Sequence, residues 1–252
     1  MKQLILEKLR EIETTHQVKI LFACEAGSRA WGFHSDGSDF DVRFVYIHRM
    51  DYYLSLLDRD EAMNFGVNQQ LDISGWDLRK FLQLMAKSNA SVIEWMRSPE
   101  IYMSEPVFHN ESLKLVVDYF NPIAAFHHYE GLAAKYLEDI SQSGPTVKGY
   151  LHAARALLAM EAILKTENPP MVMMEDLMLF IEDMTMYGEI RKLFLIKRSG
   201  ATEEIPNKVR LGKWMRDSFE RCRARKSNLK HQKISIGRLD DFFRQMIHQF
   251  GG

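Results

Sequence analysis

Asp39 and Asp41 are the side chains of this sequence best suited to chemistry. They lie two positions apart in a segment where polar and apolar residues alternate, so on a strand both face the same way. Two carboxylates held that close repel each other, and a proton or a cation must relieve the repulsion. A hard divalent ion such as Mg²⁺ or Mn²⁺ accepts carboxylate oxygens and bridges to substrate phosphates. The pair therefore predicts a metal site that handles phosphate.

A glycine-bounded turn precedes this pair and predicts a place for the phosphates. Gly27 and Gly32 allow a sharp bend and a close approach of the backbone to a ligand. The amide groups of such a bend, together with the Ser28 hydroxyl, can donate hydrogen bonds to the oxygens of a triphosphate. Arg29 and Arg43 are candidates for neutralising phosphate, and salt bridges to nearby acids are an equally good explanation for both.

Asp72 is expected to be the third carboxylate of this site. It lies between Leu71 and Ile73 in a weakly alternating segment, 67–74, that predicts a strand. If this strand lies beside the one that follows Asp39, three acids face one cleft and suit two-metal phosphoryl transfer. The alternative is that Asp72 acts directly as a general base. Its contribution depends on strand register, because a shift by one residue turns the side chain to the other face.

Together these motifs resemble those of the polymerase-beta-like nucleotidyltransferase superfamily, in which Gly-Ser, Asp-x-Asp and an isolated Asp between apolar residues follow in this order. Three stretches are similar to the YcgL-like predicted nucleotidyltransferases, a branch associated with RNA repair: Gly27–Phe33, Ser38–Phe44 and Glu94–Pro99. The likeness is specific over about residues 27–100 and looser over the remainder. It implies a minimal nucleotidyltransferase core with an appended helical domain.

The resemblance also implies roles and a reaction. Gly27 and Ser28 would hold the triphosphate. Asp39 and Asp41 would hold the metal ions, and Asp72 would fill the third acidic position. The expected reaction moves a nucleoside monophosphate from an NTP to a hydroxyl and releases pyrophosphate.

Three hypotheses remain open about the acceptor and the activity. An RNA end is one expected acceptor, and a protein hydroxyl is another, as in antitoxin-like nucleotidyltransferases that attach AMP. The third hypothesis is a non-catalytic module that binds nucleotide or nucleic acid. It leaves three mutually repelling carboxylates without a use.

A second group of candidates lies on a predicted helix at 146–166. Lys148, His152 and Arg155 are four and three positions apart, so they share one helical face. In the resembling superfamily a helical domain packs over the cleft and contributes basic residues to the nucleotide or acceptor, which makes these three candidates for nucleotide binding. A stripe on a core helix explains the same spacing equally well.

The elements around these residues predict an α+β fold in two parts. The apolar period becomes helical after Trp76, and strand signals nearly vanish after Ser98-Pro99. The expected parts are a catalytic domain at 1–105, with a small mixed sheet and flanking helices, and an all-helical domain at 106–252. Strands are predicted at 18–24, 39–47 and 67–74, and helices at 4–13, 107–119, 123–140, 146–166, 174–183, 187–197, 207–225 and 236–249.

Charge is balanced over the whole chain but not along it. The net charge is −1, yet residues 191–252 hold 16 basic and 6 acidic side chains against 17 and 28 in residues 1–190. The basic excess concentrates at 208–238. Such a segment is typical of a surface that binds polyanions, RNA included, and a solvated helix that offsets the acidic part is the alternative.

Composition excludes several other classes of protein. Apolar residues make up 46% of the chain and charged residues 27%, which is typical of a globular protein and excludes disorder. Two cysteines exclude a disulfide framework and favour a reducing cytoplasm. No apolar run reaches the ~18 residues that a membrane span needs. A protein partner and self-association stay open.

Overall fold

The structure is a computed structural model that describes residues 1–57, 59–68, 70–200, 204–229 and 235–252. It confirms the α+β fold, with a sheet in the N-terminal part and helices after it. The chain forms two compact units. The sheet unit comprises Met1–Ala30, Asp39–Tyr119 and Lys233–Gly252, and the helical unit comprises Trp31–Ser38 and Phe120–Gln232. The predicted division after residue 105 treats the parts as continuous, whereas these units alternate along the sequence.

The sheet has five strands: β1 Lys19–Glu25, β2 Phe40–Ile47, β3 Ala62–Asn68, β4 Leu71–Asp77 and β5 Ile101–Ser104. Their order is β3-β4-β2-β1-β5, with β2 and β4 parallel and the other pairs antiparallel. The strands predicted at 18–24 and 39–47 are confirmed. The single strand predicted at 67–74 is wrong, because the chain turns back near Gln70 and those residues belong to both β3 and β4.

In the described ranges the helices are α1 Lys2–His16, α2 Gly27–Ala30, α3 Met50–Tyr53, α4 Leu78–Ala86, α5 Ala90–Met96, α6 Pro106–Asp118, α7 Pro122–Ser143, α8 Val147–Thr166, α9 Met174–Leu177, α10 Met184–Ser199, α11 Lys208–Arg225 and α12 Gly237–Phe250. The helix predicted at 174–183 is wrong in extent: α9 runs into a 3₁₀ turn and the chain is extended at Ile181. Asp183 instead caps α10, accepting hydrogen bonds from the N–H groups of Thr185 and Met186. The other predicted helices are confirmed.

One face of the sheet is covered by α1. Ile5, Leu9 and Ile12 of that helix pack with buried side chains of the strands, among them Val42 and Ile73. Successive side chains of a strand point to opposite faces. The intervening residues of β2 and β4 therefore lie on the face opposite α1, and this face carries the candidate acids.

The helical unit is organised around α8, most of which is buried. The segment Trp31–Ser38 belongs to this unit, although the residues on both sides of it belong to the sheet unit. The backbone of its first residue is held by a hydrogen bond within this unit, because the Trp31 carbonyl accepts from the N–H of Met174 at 2.9 Å. The loop that joins the glycine turn to the aspartate pair is thus part of the helical unit.

No helix in the described ranges combines the length and apolar character that crossing a bilayer requires.

Candidate active site

The glycine turn lies directly against Asp41. Gly27 follows β1 with a φ of +59°, a conformation that glycine adopts at little cost. The N–H of Ala26 donates to the Asp41 carbonyl at 2.8 Å, which ties the turn to β2. A Cβ on Gly27 would overlap the Asp41 carboxylate, so only glycine permits this approach. Ser28 is half-buried in the first turn of α2, one residue further along.

Asp41 and Asp72 are brought together by the parallel pairing of β2 and β4. Their Cα atoms are register partners, so the two side chains lie side by side on the same face of the sheet. Both strands show the alternation this requires, with Val42 and Ile73 fully buried and the acids open to solvent. The side chain of Asp41 is 33% exposed and that of Asp72 52% exposed.

Arg43 lies between these two carboxylates. Its Nη2 is 3.1 Å from Oδ1 of Asp41 and 2.9 Å from Oδ2 of Asp72. Of the two explanations offered for Arg43, the structure shows the salt bridge to local acids. The site therefore contains one positive group within hydrogen-bonding distance of each of two carboxylates.

Asp39 is exposed and precedes the first residue of β2. Its backbone carbonyl accepts a hydrogen bond from Nε of Arg29 at 3.0 Å. The Arg29 guanidinium lies 3.5 Å from the centre of the Phe40 ring, a cation–π contact. Asp39 thus stands at the edge of the group, two residues from Asp41, and Arg29 fixes the backbone there.

Glu25 is a residue of this site that the sequence analysis missed. It is 2% exposed, and its Oε1 accepts a hydrogen bond from the N–H of Asp41 at 2.7 Å. Its Oε2 accepts a hydrogen bond from the Tyr102 hydroxyl. Burial raises the pKa of Glu25, and the two hydrogen bonds partly oppose that shift. The signal available in the sequence was an acid that ends a wholly apolar strand directly before the glycine turn.

The chemistry of these side chains suits a hard cation held by two carboxylates. In the described part of the chain no three His, Cys, Asp or Glu side chains are grouped closely enough to hold a metal ion. Mg²⁺, however, is commonly bound through one or two protein carboxylates together with substrate phosphates and water. Asp41 and Asp72 already share one positive group, and Asp39, two residues before Asp41 in the sequence, is exposed. The site fits a cation that arrives with a nucleotide.

The second group of candidates lies within the helical unit. Arg155 is 3% exposed, lies 4.2 Å from the Trp31 ring and donates to the Val172 carbonyl. His152 packs edge-on to Trp31 and is 3.0 Å from the Tyr136 hydroxyl. Burial, reinforced by nearby positive charges, lowers the pKa of His152 to about 4, so the imidazole is neutral at pH 7. Lys148, by contrast, is exposed on the first turn of α8. Nucleotide binding by all three stays a prediction.

The basic segment at 208–238 is only partly accounted for by ion pairs inside the protein. Arg223 and Lys226 pair with Glu130, and Arg225 pairs with Glu161. These contacts offset positive charge in the last turn of α11 and just beyond it. Lys230 and Lys233 lie outside the described residues. Basic residues of α11 that are exposed are Lys208, Arg210, Lys213, Arg216, Arg221 and Arg223.

Comparisons with known proteins relate the whole chain to a family. Residues 1–245 match the profile of the RNA repair pathway DNA polymerase beta family. The chain is 34% identical over 241 residues to a Bacillus subtilis (strain 168) protein called "Uncharacterized protein YcgL", with 92% of this chain and 91% of that protein covered. A solved nucleotidyltransferase-like protein from Exiguobacterium sibiricum aligns at 14% identity, covering 89% of this chain and 75% of that one, with a TM-score of 0.32. That likeness is too distant to carry an argument.

Proposed function

The chain belongs to the RNA repair pathway DNA polymerase beta family, and on that premise we propose that it is a metal-dependent nucleotidyltransferase that moves a nucleoside monophosphate from an NTP to a hydroxyl. One observation carries the proposal: Asp41 and Asp72 lie side by side on parallel strands, with the glycine turn against Asp41. A phosphate-binding turn next to paired carboxylates is the arrangement that phosphoryl-type transfer needs, since charge neutralisation and alignment supply most of the catalysis.

In this proposal each residue has a role at the phosphates. The amides that follow Gly27, with the Ser28 hydroxyl, hold the triphosphate, and Arg29 adds positive charge to that end. Asp39 and Asp41 would hold the divalent cation, which when bound would neutralise phosphate charge and lower the pKa of the acceptor hydroxyl. Asp72 is the more exposed of the paired acids, and in this proposal it receives the hydroxyl proton.

The bond changes balance within this set of groups. The acceptor oxygen forms a bond to the α-phosphorus, and the bond from that phosphorus to the bridging oxygen of pyrophosphate breaks. Pyrophosphate leaves with the electron pair. The acceptor proton passes to Asp72 and from there to solvent.

The acceptor in this proposal is an RNA end. The description of the family and the exposed basic residues of α11 support it. Binding that neutralises phosphates weakens steeply as salt rises, because counterions are released. Transfer to RNA that declines steeply with added salt would support the RNA acceptor. Label recovered on protein instead would favour the AMP-attaching alternative.

The test compares two double variants. The protein is incubated with Mg²⁺, each α-labelled NTP and an RNA with a free 3′ hydroxyl, and labelled RNA and released pyrophosphate are measured. Asp39→Ala with Asp41→Ala is expected to abolish both products. Asp51→Ala with Asp139→Ala removes two exposed acids on α3 and α7 and is expected to leave both products unchanged. Transfer that survives the first double variant would refute the assignment.

A further inference from the structure

Arg43 is the basic side chain that lies between Asp41 and Asp72, and several contacts hold it there. It lies two residues after Asp41 on β2, so both side chains are on the same face of the sheet. Besides its two ion pairs, its Nη1 donates to the Val42 carbonyl at 3.0 Å and contacts the Asp72 carbonyl at 3.4 Å. Its side chain is only 19% exposed. The guanidinium thus has a fixed place rather than a range of solvated positions.

This guanidinium does what a bound cation would do for the two carboxylates. One nitrogen, Nη2, is shared between Asp41 and Asp72, and its charge offsets the repulsion between them. A second cation that binds the same carboxylate oxygens therefore competes with Arg43 for them.

The oxygens that Arg43 contacts are those a divalent cation would need. Oδ2 of Asp41 faces Gly27, and Oδ1 is bound by Arg43. A cation that enters between Asp41 and Asp72 must therefore replace the guanidinium on at least one of them. We propose that Arg43 is the internal counter-ion of the acidic site and that a divalent cation binds by displacing it. Arg43 then sets how tightly the site binds a cation when no nucleotide is present.

The inference rests on the proposed function only in taking Asp41 as a ligand of the cation, and it adds Asp72 as a second ligand when no nucleotide is present. The test of the inference is Mn²⁺ binding to the full chain without nucleotide. Binding is measured from the electron paramagnetic resonance signal of the Mn²⁺ that stays free. Arg43→Gln is expected to bind Mn²⁺ about tenfold more tightly than the unchanged protein, which corresponds to about 1.4 kcal/mol. Arg43→Lys keeps a charge that can reach one carboxylate at a time, and we expect an effect of about threefold or less.

Two controls separate displacement from a general change in charge. Arg49→Gln removes the same charge from an exposed position at the start of α3, and its Mn²⁺ affinity is expected to stay within twofold of the unchanged protein. Asp41→Asn is expected to weaken binding by at least tenfold. Equal affinities for Arg43→Gln and the unchanged protein would overturn the inference. So would tightening by Arg49→Gln as large as that by Arg43→Gln, or no Mn²⁺ binding by either the unchanged protein or Arg43→Gln.

Folding of the variant provides a second measurement. Without Arg43 the two carboxylates repel, so Arg43→Gln is expected to melt at a lower temperature in EDTA and to gain more from added Mn²⁺ than the unchanged protein does. If the variant is unfolded in EDTA, Mn²⁺ is expected to restore its circular dichroism spectrum. No restoration, together with an Arg43→Lys variant that behaves like the unchanged protein, would contradict the inference.

The outcomes distinguish this inference from the proposed function. Tighter Mn²⁺ binding by Arg43→Gln with no transfer from any NTP would support the counter-ion role of Arg43 and contradict the proposed reaction. Equal Mn²⁺ affinities with normal transfer would remove the counter-ion role and leave the reaction.

Discussion

Two buried carboxyl groups lie at opposite ends of the sheet and have the same kinds of partner. Glu25, at the end of β1, accepts hydrogen bonds from the Tyr102 hydroxyl and the N–H of Asp41. Asp77, at the end of β4, accepts them from the Tyr53 hydroxyl and the N–H of Arg79. Burial raises the pKa of both.

What differs is the residue that each carboxyl fixes. Asp77 caps α4, so its two hydrogen bonds stabilise the start of a helix. Glu25 fixes the backbone of Asp41, whose own side chain is exposed and paired with a replaceable positive group. A buried acid therefore does not mark a functional site by itself. The distinguishing feature is the pair of exposed charges that the buried acid supports.

The largest expected effect is a difference in nucleotidyl transfer between variants at the two ends of the sheet. Asp41→Asn is expected to lower nucleotidyl transfer at least ~10³-fold, because a cation ligand is lost and charge in the transition state is no longer neutralised. Asp77→Asn keeps an oxygen that can cap α4 and is expected to retain transfer within about threefold. Rates measured on equal amounts of folded protein check this. A loss of similar size in both variants would remove the distinction.

The next effect is on the pH dependence of stability at the Asp77 end. Burial raises the pKa of Asp77 from its ordinary value of 3.8 to about 6. Because the folded state binds the proton more tightly, Asp77 contributes stability that is fully present below about pH 4 and is lost as pH rises through 6. The stability advantage over Asp77→Asn should therefore fall by roughly 2–2.5 kcal/mol between pH 4 and pH 7. Urea unfolding at several pH values measures it, and a difference independent of pH would contradict it.

Replacing one glycine by alanine at each end of the sheet adds a methyl group there and extends the comparison. Gly27→Ala requires a positive φ and pushes against the Asp41 carboxylate, so transfer is expected to fall about 10²-fold through misplacement of that group. Gly75→Ala pushes against the buried Phe44 ring and is expected to lower the free energy of unfolding by ~1–3 kcal/mol. Its rate per folded molecule should stay unchanged. Rates and urea unfolding of both variants provide the test, and the reverse pattern would contradict it.

The smallest expected effect concerns the support beneath Asp41. Glu25→Ala leaves the Tyr102 hydroxyl and the Asp41 N–H without their acceptor and is expected to cost about 2 kcal/mol of folding stability. Glu100→Ala removes an exposed ion pair with Lys2 and should cost less than ~0.5 kcal/mol. Denaturant unfolding compares them. Equal losses would show that Glu25 is not the support the hydrogen bonds indicate.

Local patterns were sufficient to predict on which face of β2 Asp41 lies, but not which residues it contacts. Alternation predicted that Asp41 faces away from Val42, and the structure agrees. The hairpin formed by β3 and β4 was missed because its turn lies inside a segment that reads as one weak strand. Arg43 between two acids, and Glu25 beneath one of them, depend on which strands become neighbours, and spacing along the chain carries no information about that.

The same limit explains the second group of candidates. Spacing predicted correctly that Lys148, His152 and Arg155 lie on one helix. It did not predict that Trp31, more than a hundred residues earlier, would cover two of them. Contacts between segments so distant in sequence arise from packing of the whole unit.

The alternation of the two units along the chain has a genetic consequence. Since Trp31–Ser38 and Phe120–Gln232 belong to one unit and the stretches around them to the other, neither unit is encoded by an uninterrupted piece of the gene. A crossover that replaced only the codons after residue 119 would join a new set of helices to an old 31–38 loop. In such chimeras between relatives, Trp31 is expected to pack poorly against the new helices unless the donor's 31–38 loop is transferred as well.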